Sequence, residues 1–128
     1  MRWTSYFLIT LVLSGEVQAQ FVGNRQGWMN YTVEAKAYYA MGIFDGIVLK
    51  YANDPGGNGR ADTGLCAFEL ELDGIALAEI ISQQYTMLEN WDAPPNVLLA
   101  KGLLVVCHDI LNRERTKRGE DPLPPPAP

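Results

Sequence analysis

His108 is the one histidine of the chain, and it stands between Cys107 and Asp109. A thiol, an imidazole and a carboxylate are the parts of a nucleophilic site. Adjacent positions on a helix point apart, so Cys107 and His108 cannot easily pair. Glu69 and Glu71 form a carboxylate pair, but no partner of tuned acidity stands near them, as acid–base catalysis requires. Asp54, Asn58 and Asp62 recur every four residues. A calcium loop needs alternate ligands and a closing Glu, and both are missing. The stretch 53–65 holds four glycines. It lacks the Gly-Lys-Ser/Thr ending of a phosphate loop and follows no strand. Zinc is disfavoured because His108 is the only good ligand near the two cysteines. The pattern calls for no metal and no cofactor, and it favours a binding protein over an enzyme.

The 128 residues carry a net charge of −5, with no basic patch to suit nucleic acid or an anionic membrane. A content of 48% hydrophobic and 10% aromatic residues is too high for a disordered chain and fits one small domain. Residues 1–19 read as a secretory signal. Arg2 supplies the positive start, Tyr6 to Leu13 the apolar core, and Val17-Gln18-Ala19 the cleavage site. A spanning helix needs about 20 apolar residues, and Glu16 interrupts this run. Cleavage before Gln20 removes one Arg and one Glu and leaves the net charge at −5. No later segment is apolar enough to span a bilayer, so the mature chain is expected to be soluble, with no membrane association. Export brings Cys66 and Cys107 into an oxidising compartment, where one disulfide is the simplest outcome and two buried thiols the alternative. Closing a loop of about 40 residues is worth roughly 4 kcal/mol in the chain-entropy reckoning.

The elements that position these groups follow a helical period. Asn24 suits the cap of a short helix that buries Trp28, and Asn30 or Thr32 suits the next cap. Asn30-Tyr31-Thr32 is also formally a glycosylation sequon. Val33, Ala37, Met41, Phe44, Val48 and Tyr51 predict a long helix, widened by Tyr38 and Ile47. Gly42 and Gly46 lie on one face of it. Each costs about 1 kcal/mol against Ala, and a close second helix is the expected compensation. Asp45, between them, is either a buried interface contact or an exposed carboxylate. Residues 53–65 read as a surface loop, in which Asp54, Asn58, Arg60 and Asp62 would serve recognition. Residues 66–72 alternate like a strand but are short, and an extended or 3₁₀ lead-in is expected. Asp73 then caps a helix over 74–89, striped by Leu77, Ile80, Ile81, Tyr85 and Leu88. Asp92 and Pro94-Pro95 predict a further helix start, running to about Arg113. Val97, Ala100, Leu103, Leu104, Cys107, Ile110 and Leu111 line it. The basic run 113–118 suits a helix end, and the proline-rich stretch 116–128 is expected to be a disordered tail. An all-α bundle of four to five helices with one disulfide results.

Several of these residues also resemble a known family. Phe21 to Asn24 opens the match. Tyr39, Gly42, Asp45 and Gly46 follow the Tyr-x-x-Gly-Val-x-Asp-Ala helix motif of the Tai family of type VI amidase immunity proteins, also called the Rap immunity family. Cys66 then opens the helix that holds Ile80, Ile81 and Tyr85. Pro95, Ala100, Leu103, Leu104 and Cys107 match its last helix. The resemblance covers 21–107 and implies a helical domain over 20–115. Many members carry two further cysteines, near Asn30 and Lys36, and this chain has neither. Its proline-rich tail also exceeds the family pattern.

The resemblance implies a periplasmic immunity protein, often a homodimer, that occludes a secreted peptidoglycan amidase through a protruding loop. The loop from Asp54 to Asp62 and the Trp91–Asp92 turn are the expected contact points. Trp91 would be the anchor, since aromatics dominate interface energetics; burial in the core is the other reading of it. Replacing Asp54, Arg60 and Asp62 together should weaken binding and leave the melting temperature almost unchanged. A periplasmic stress protein or acid-activated chaperone is the alternative class, which the many carboxylates permit.

Overall fold

The computed structural model describes residues 21–51 and 58–126, and the side chains of all of these except 49–51 and 60. The expected signal segment 1–19 and Asp54 lie outside the described residues. Six α-helices and no strand are found among the described residues: α1 Arg25–Met29, α2 Val33–Tyr51, α3 Asn58–Glu69, α4 Gly74–Gln84, α5 Pro95–Val106 and α6 His108–Lys117. A 3₁₀ turn, Leu88–Asn90, links α4 to α5. The chain is all-α, with a Cys66–Cys107 disulfide whose Cα atoms are 5.7 Å apart.

Local chemistry sets the helix starts. The Asn24 side chain accepts the Gly27 N–H at 3.0 Å and caps α1. Thr32 Oγ1 accepts the Ala35 N–H at 3.2 Å before α2, so Thr32 rather than Asn30 takes the cap role. Asp73 accepts the Ala76 N–H at 2.8 Å and caps α4. The expected Asp92 cap is not made. Asp92 is exposed, Pro94 occupies the cap position of α5, and Pro95 begins the helix with no N–H to satisfy.

The helix ends explain the departures from the expected boundaries. α4 stops at Gln84 rather than Glu89 because later side chains take its last carbonyls. Asn90 Nδ2 donates to Gln84 O at 2.8 Å and Trp91 Nε1 to Tyr85 O at 3.1 Å. The expected helix over 95–113 divides at Cys107, the joint between α5 and α6. The loop expected over 53–65 is corrected from residue 58 onward, where α3 begins. The alternating stretch after it is neither strand nor lead-in, and Cys66 lies inside α3 rather than opening α4. α3 ends in a Schellman turn, with Leu72 N–H bonded to Ala67 O at 2.9 Å and Glu71 N–H to Phe68 O at 3.2 Å. Glu71 takes the left-handed position there, at φ 51°.

α2 is the spine. α4 packs along it most extensively, and α3 and α5 also touch it. The buried cluster includes Trp28, Ala40, Leu77, Ile81, Leu98 and Leu99 around the disulfide. Trp28 is fully buried, and its Nε1–H donates to Ser82 Oγ at 3.0 Å. The stripes are rotated from expectation. Val33, Tyr38 and Met41 of α2 are exposed, while Tyr39, Ala40, Ile43 and Phe44 turn inward. Leu98 and Leu99, not Val97 and Leu104, are the buried anchors of α5. That helix is apolar nearly all round, so periodicity could not choose its face.

The close approaches fall on other glycines than expected. Gly42 and Gly46 are exposed, and a Cβ at either would meet nothing within 4 Å. A Cβ at Gly74 would come 2.9 Å from Met41 Sδ and 3.0 Å from the Ala37 carbonyl. One at Gly102 would collide with Ile80. α4 therefore rests directly on α2 at one end and on α5 at the other.

Candidate functional site

The turn between α4 and α5 presents an exposed aromatic held by several contacts. Trp91 is 43% exposed. Its indole N–H is bonded to Tyr85 O, and the Arg25 guanidinium lies 4.7 Å above the ring. The Arg25 N–H also donates to Trp91 O at 2.8 Å, tying α1 to the turn. Asn90, buried beside it, accepts from Lys101 Nζ at 3.3 Å. Tyr85 is buried below, and its hydroxyl donates to Ala93 O at 2.7 Å. Burial pushes the Tyr85 phenol up to about 12, from its ordinary 10.0, with a smaller contribution from Tyr39. Leu88, three residues before Trp91, is exposed, as is Asp92 after it.

The expected recognition loop is reorganised. Asn58 begins α3, and its Nδ2 donates to Glu120 Oε1 at 3.5 Å. Asp62 is only 6% exposed. Arg118 Nη1 and Nη2 donate to its two oxygens at 2.9 and 2.6 Å. Asp62 is thus an internal anchor rather than an exposed recognition group. Arg60 lies on α3, while Asp54 is outside the described residues. The expected contacts therefore fall on two different elements, α3 and the α4–α5 turn.

The helix motif also divides. Tyr39 packs inward, edge-on to Trp28 and Tyr31 at 6.2 and 6.0 Å between centroids. Asp45, Gly42 and Gly46 lie on the exposed side of α2. For Asp45 the exposed reading is the correct one.

Most of the candidate chemical groups are engaged with other groups of the fold. Cys107 is consumed in the disulfide. His108 Nε2 stands 3.2 Å from both Pro124 O and Asn112 Nδ2, and Nδ1 is 3.5 Å from Asp109. Glu69 is held by Arg113 at 2.6 and 3.1 Å, and that guanidinium keeps its carboxyl below the usual range. Lys117, and then Arg113, do the same for Glu114. Arg118 does so for Glu120. Among the described residues no three His, Cys, Asp or Glu side chains are grouped to hold a metal ion.

Sequence reasoning missed the partners of Asp62 and Glu69. The basic run 113–118 was the available signal, since its charges are too many for a helix end alone. The chain matches no protein-family model, no curated protein and no solved structure. Among the described residues no helix is long and apolar enough to cross a membrane.

Proposed function

We propose that the protein is an exported immunity protein that binds and occludes a secreted peptidoglycan amidase. The Trp91 turn carries this reading. An aromatic ring stands half-exposed on a turn tied down by hydrogen bonds from three directions, so little freedom is lost when a partner covers it. The disulfide agrees with an oxidising compartment such as the periplasm. The amidase as partner rests on the resemblance carried by Tyr39, Gly42, Asp45, Gly46 and the two cysteines.

The test uses the oxidised mature protein against a panel of secreted amidases, reading both affinity and hydrolysis. One amidase should bind stoichiometrically and lose activity. Trp91→Ala should weaken that binding about 30-fold, as an interface hot spot does, with the helical signal unchanged. Equal affinity of the variant would remove the turn from the interface. Failure with every amidase would remove the partner.

A second reading, an acid-activated chaperone, is favoured by one observation. Glu69, Glu114 and Glu120 hold α3, α6 and the chain after α6 through ion pairs that acid would break. Dye binding between pH 7 and 2 decides it, because a chaperone of this kind must expose apolar surface reversibly as those carboxylates protonate.

A further inference from the structure

The chain continues past α6 as an ordered strap. It reverses at Gly119, whose φ of +73° is left-handed, and runs back along α6. Arg115 Nε donates to Asp121 O at 2.7 Å. Asn112 takes both main-chain groups of Leu123. Its Oδ1 accepts the N–H at 2.6 Å and its Nδ2 lies 3.5 Å from the carbonyl. His108 Nε2 is 3.2 Å from Pro124 O. Positions 108, 112 and 115 form one stripe of α6. They meet 124, 123 and 121 in turn, so the strap runs antiparallel to the helix.

The contacts divide by kind. The hydrogen bonds from His108, Asn112 and Arg115 Nε go to main chain, which any extended segment offers, as in strand-addition recognition. Between Pro122 and Pro126 only Leu123 has an N–H, because proline has none. That single donor is the one Asn112 accepts. The prolines hold the rest extended at little entropic cost. Side chains of the strap supply the selectivity. Glu120 pairs with Arg118 at 2.6 Å and Arg115 at 3.3 Å. Leu123 and the prolines lie over Leu104, Val105 and the Lys101 stem, where a groove of about 240 Å³ remains. A larger space of about 450 Å³ stays open between Leu123, Leu104, Leu111, Thr63 and Asp62. The strap covers this trough without filling it.

We propose that the trough between α3, α5 and α6 is a docking site for an extended peptide with an acidic residue three positions before a proline-flanked apolar residue, and that Glu120–Pro126 occupies it in cis as a displaceable stand-in. Its two arginines suit the acidic residue, its apolar slot suits the leucine, and Asn112 suits the one main-chain donor. This site is separate from the Trp91 turn and stands whether or not an amidase is the partner of that turn.

The test uses the full chain and a fluorescent peptide of residues 119–126. In the native protein the strap competes, so the peptide binds weakly. Leu123→Asp frees the trough, and the peptide should then bind about tenfold tighter, the gain expected when a competing closed state is removed. Adding Asn112→Ala to that variant should abolish the gain. Peptide binding no tighter than to the native chain overturns the proposal, as does an Asn112→Ala variant that binds equally well. Amide exchange on the unaltered protein covers the case in which Leu123→Asp fails to fold. The Leu123 N–H should exchange about tenfold more slowly than in an unstructured chain, and excess peptide should abolish that protection. Unprotected exchange, or protection that excess peptide leaves untouched, also overturns it.

Discussion

Arg118 grips both carboxylate oxygens of Asp62, at 2.9 and 2.6 Å, and so fixes the end of α6 to α3. Asp62, Cys66 and Glu69 stand four and three residues apart on one face of α3. Their partners are Arg118, Cys107 and Arg113. Three cross-links, two ionic and one covalent, thus form a ladder from α3 to α6 and its ends.

Breaking the first rung should cost stability. Asp62→Ala and Arg118→Ala should each lower the melting temperature by several degrees, read by circular dichroism. The double variant should be little worse than either single one, because both remove the same bidentate contact. Fully additive losses would show that the pair does not act as a unit.

Glu71 offers the opposite result. A left-handed conformation costs a side-chain-bearing residue roughly 1–2 kcal/mol, and glycine escapes that cost. Glu71→Gly should therefore raise unfolding stability by about 1 kcal/mol, after the larger freedom glycine gives the unfolded chain. Urea unfolding measures it. An unchanged or lower midpoint would mean that Glu71 makes a compensating contact.

Acid should act through the ion pairs. The carboxyls of Glu69, Glu114 and Glu120 are all held below the ordinary glutamate range in the folded protein by their arginine and lysine partners. Protons then bind the unfolded chain first as pH falls. Stability from these groups is intact above about pH 5 and is lost progressively through and below the ordinary Glu range. Arg113→Gln should flatten the acid limb of a melting-temperature titration. An equally steep limb would place the acid sensitivity elsewhere.

Alkali should act through Tyr85. Its folded value is raised to about 12, so the unfolded chain loses the proton first. The stability it contributes is complete below pH 10 and disappears between there and about 12. Phenolate absorbance should show one tyrosine titrating late, and Tyr85→Phe should remove it. That variant should also lose about 1 kcal/mol at neutral pH with the hydrogen bond to Ala93. A late step that persists in the variant would reassign it.

The parts of the fold legible from sequence are those decided within a few residues. The Asn24 and Asp73 caps bond to amides three positions on. Trp28 is buried as its place in α1 predicts, and two cysteines have only one possible pairing with each other. α3 was illegible because glycines at 59 and 64 weigh against a helix locally. What holds it lies 41 to 56 residues away, at Cys107, Arg113 and Arg118. Gly42 and Gly46 misled for the same reason. Glycine spacing marks a possible close approach, but Gly74 and Gly102 are the ones with a neighbour. The aromatic at the α4–α5 turn was legible as a candidate anchor, while its Arg25 stack was not. The prolines of the strap suggested a disordered tail, whereas residues 121–124 are bonded to α6. The strap's seat on His108, Asn112 and Arg115 depends on a reversal at Gly119 that composition does not reveal.

The α3 ladder has separate failure modes. Its covalent rung works mainly by limiting the freedom of the unfolded chain, and its ionic rungs work only in the folded one. Reductant removes the first and leaves the others; salt weakens the others and leaves the first. No single one of these insults strips α3 of all its ties. Such redundancy lets a small domain keep its shape when only one of these conditions changes.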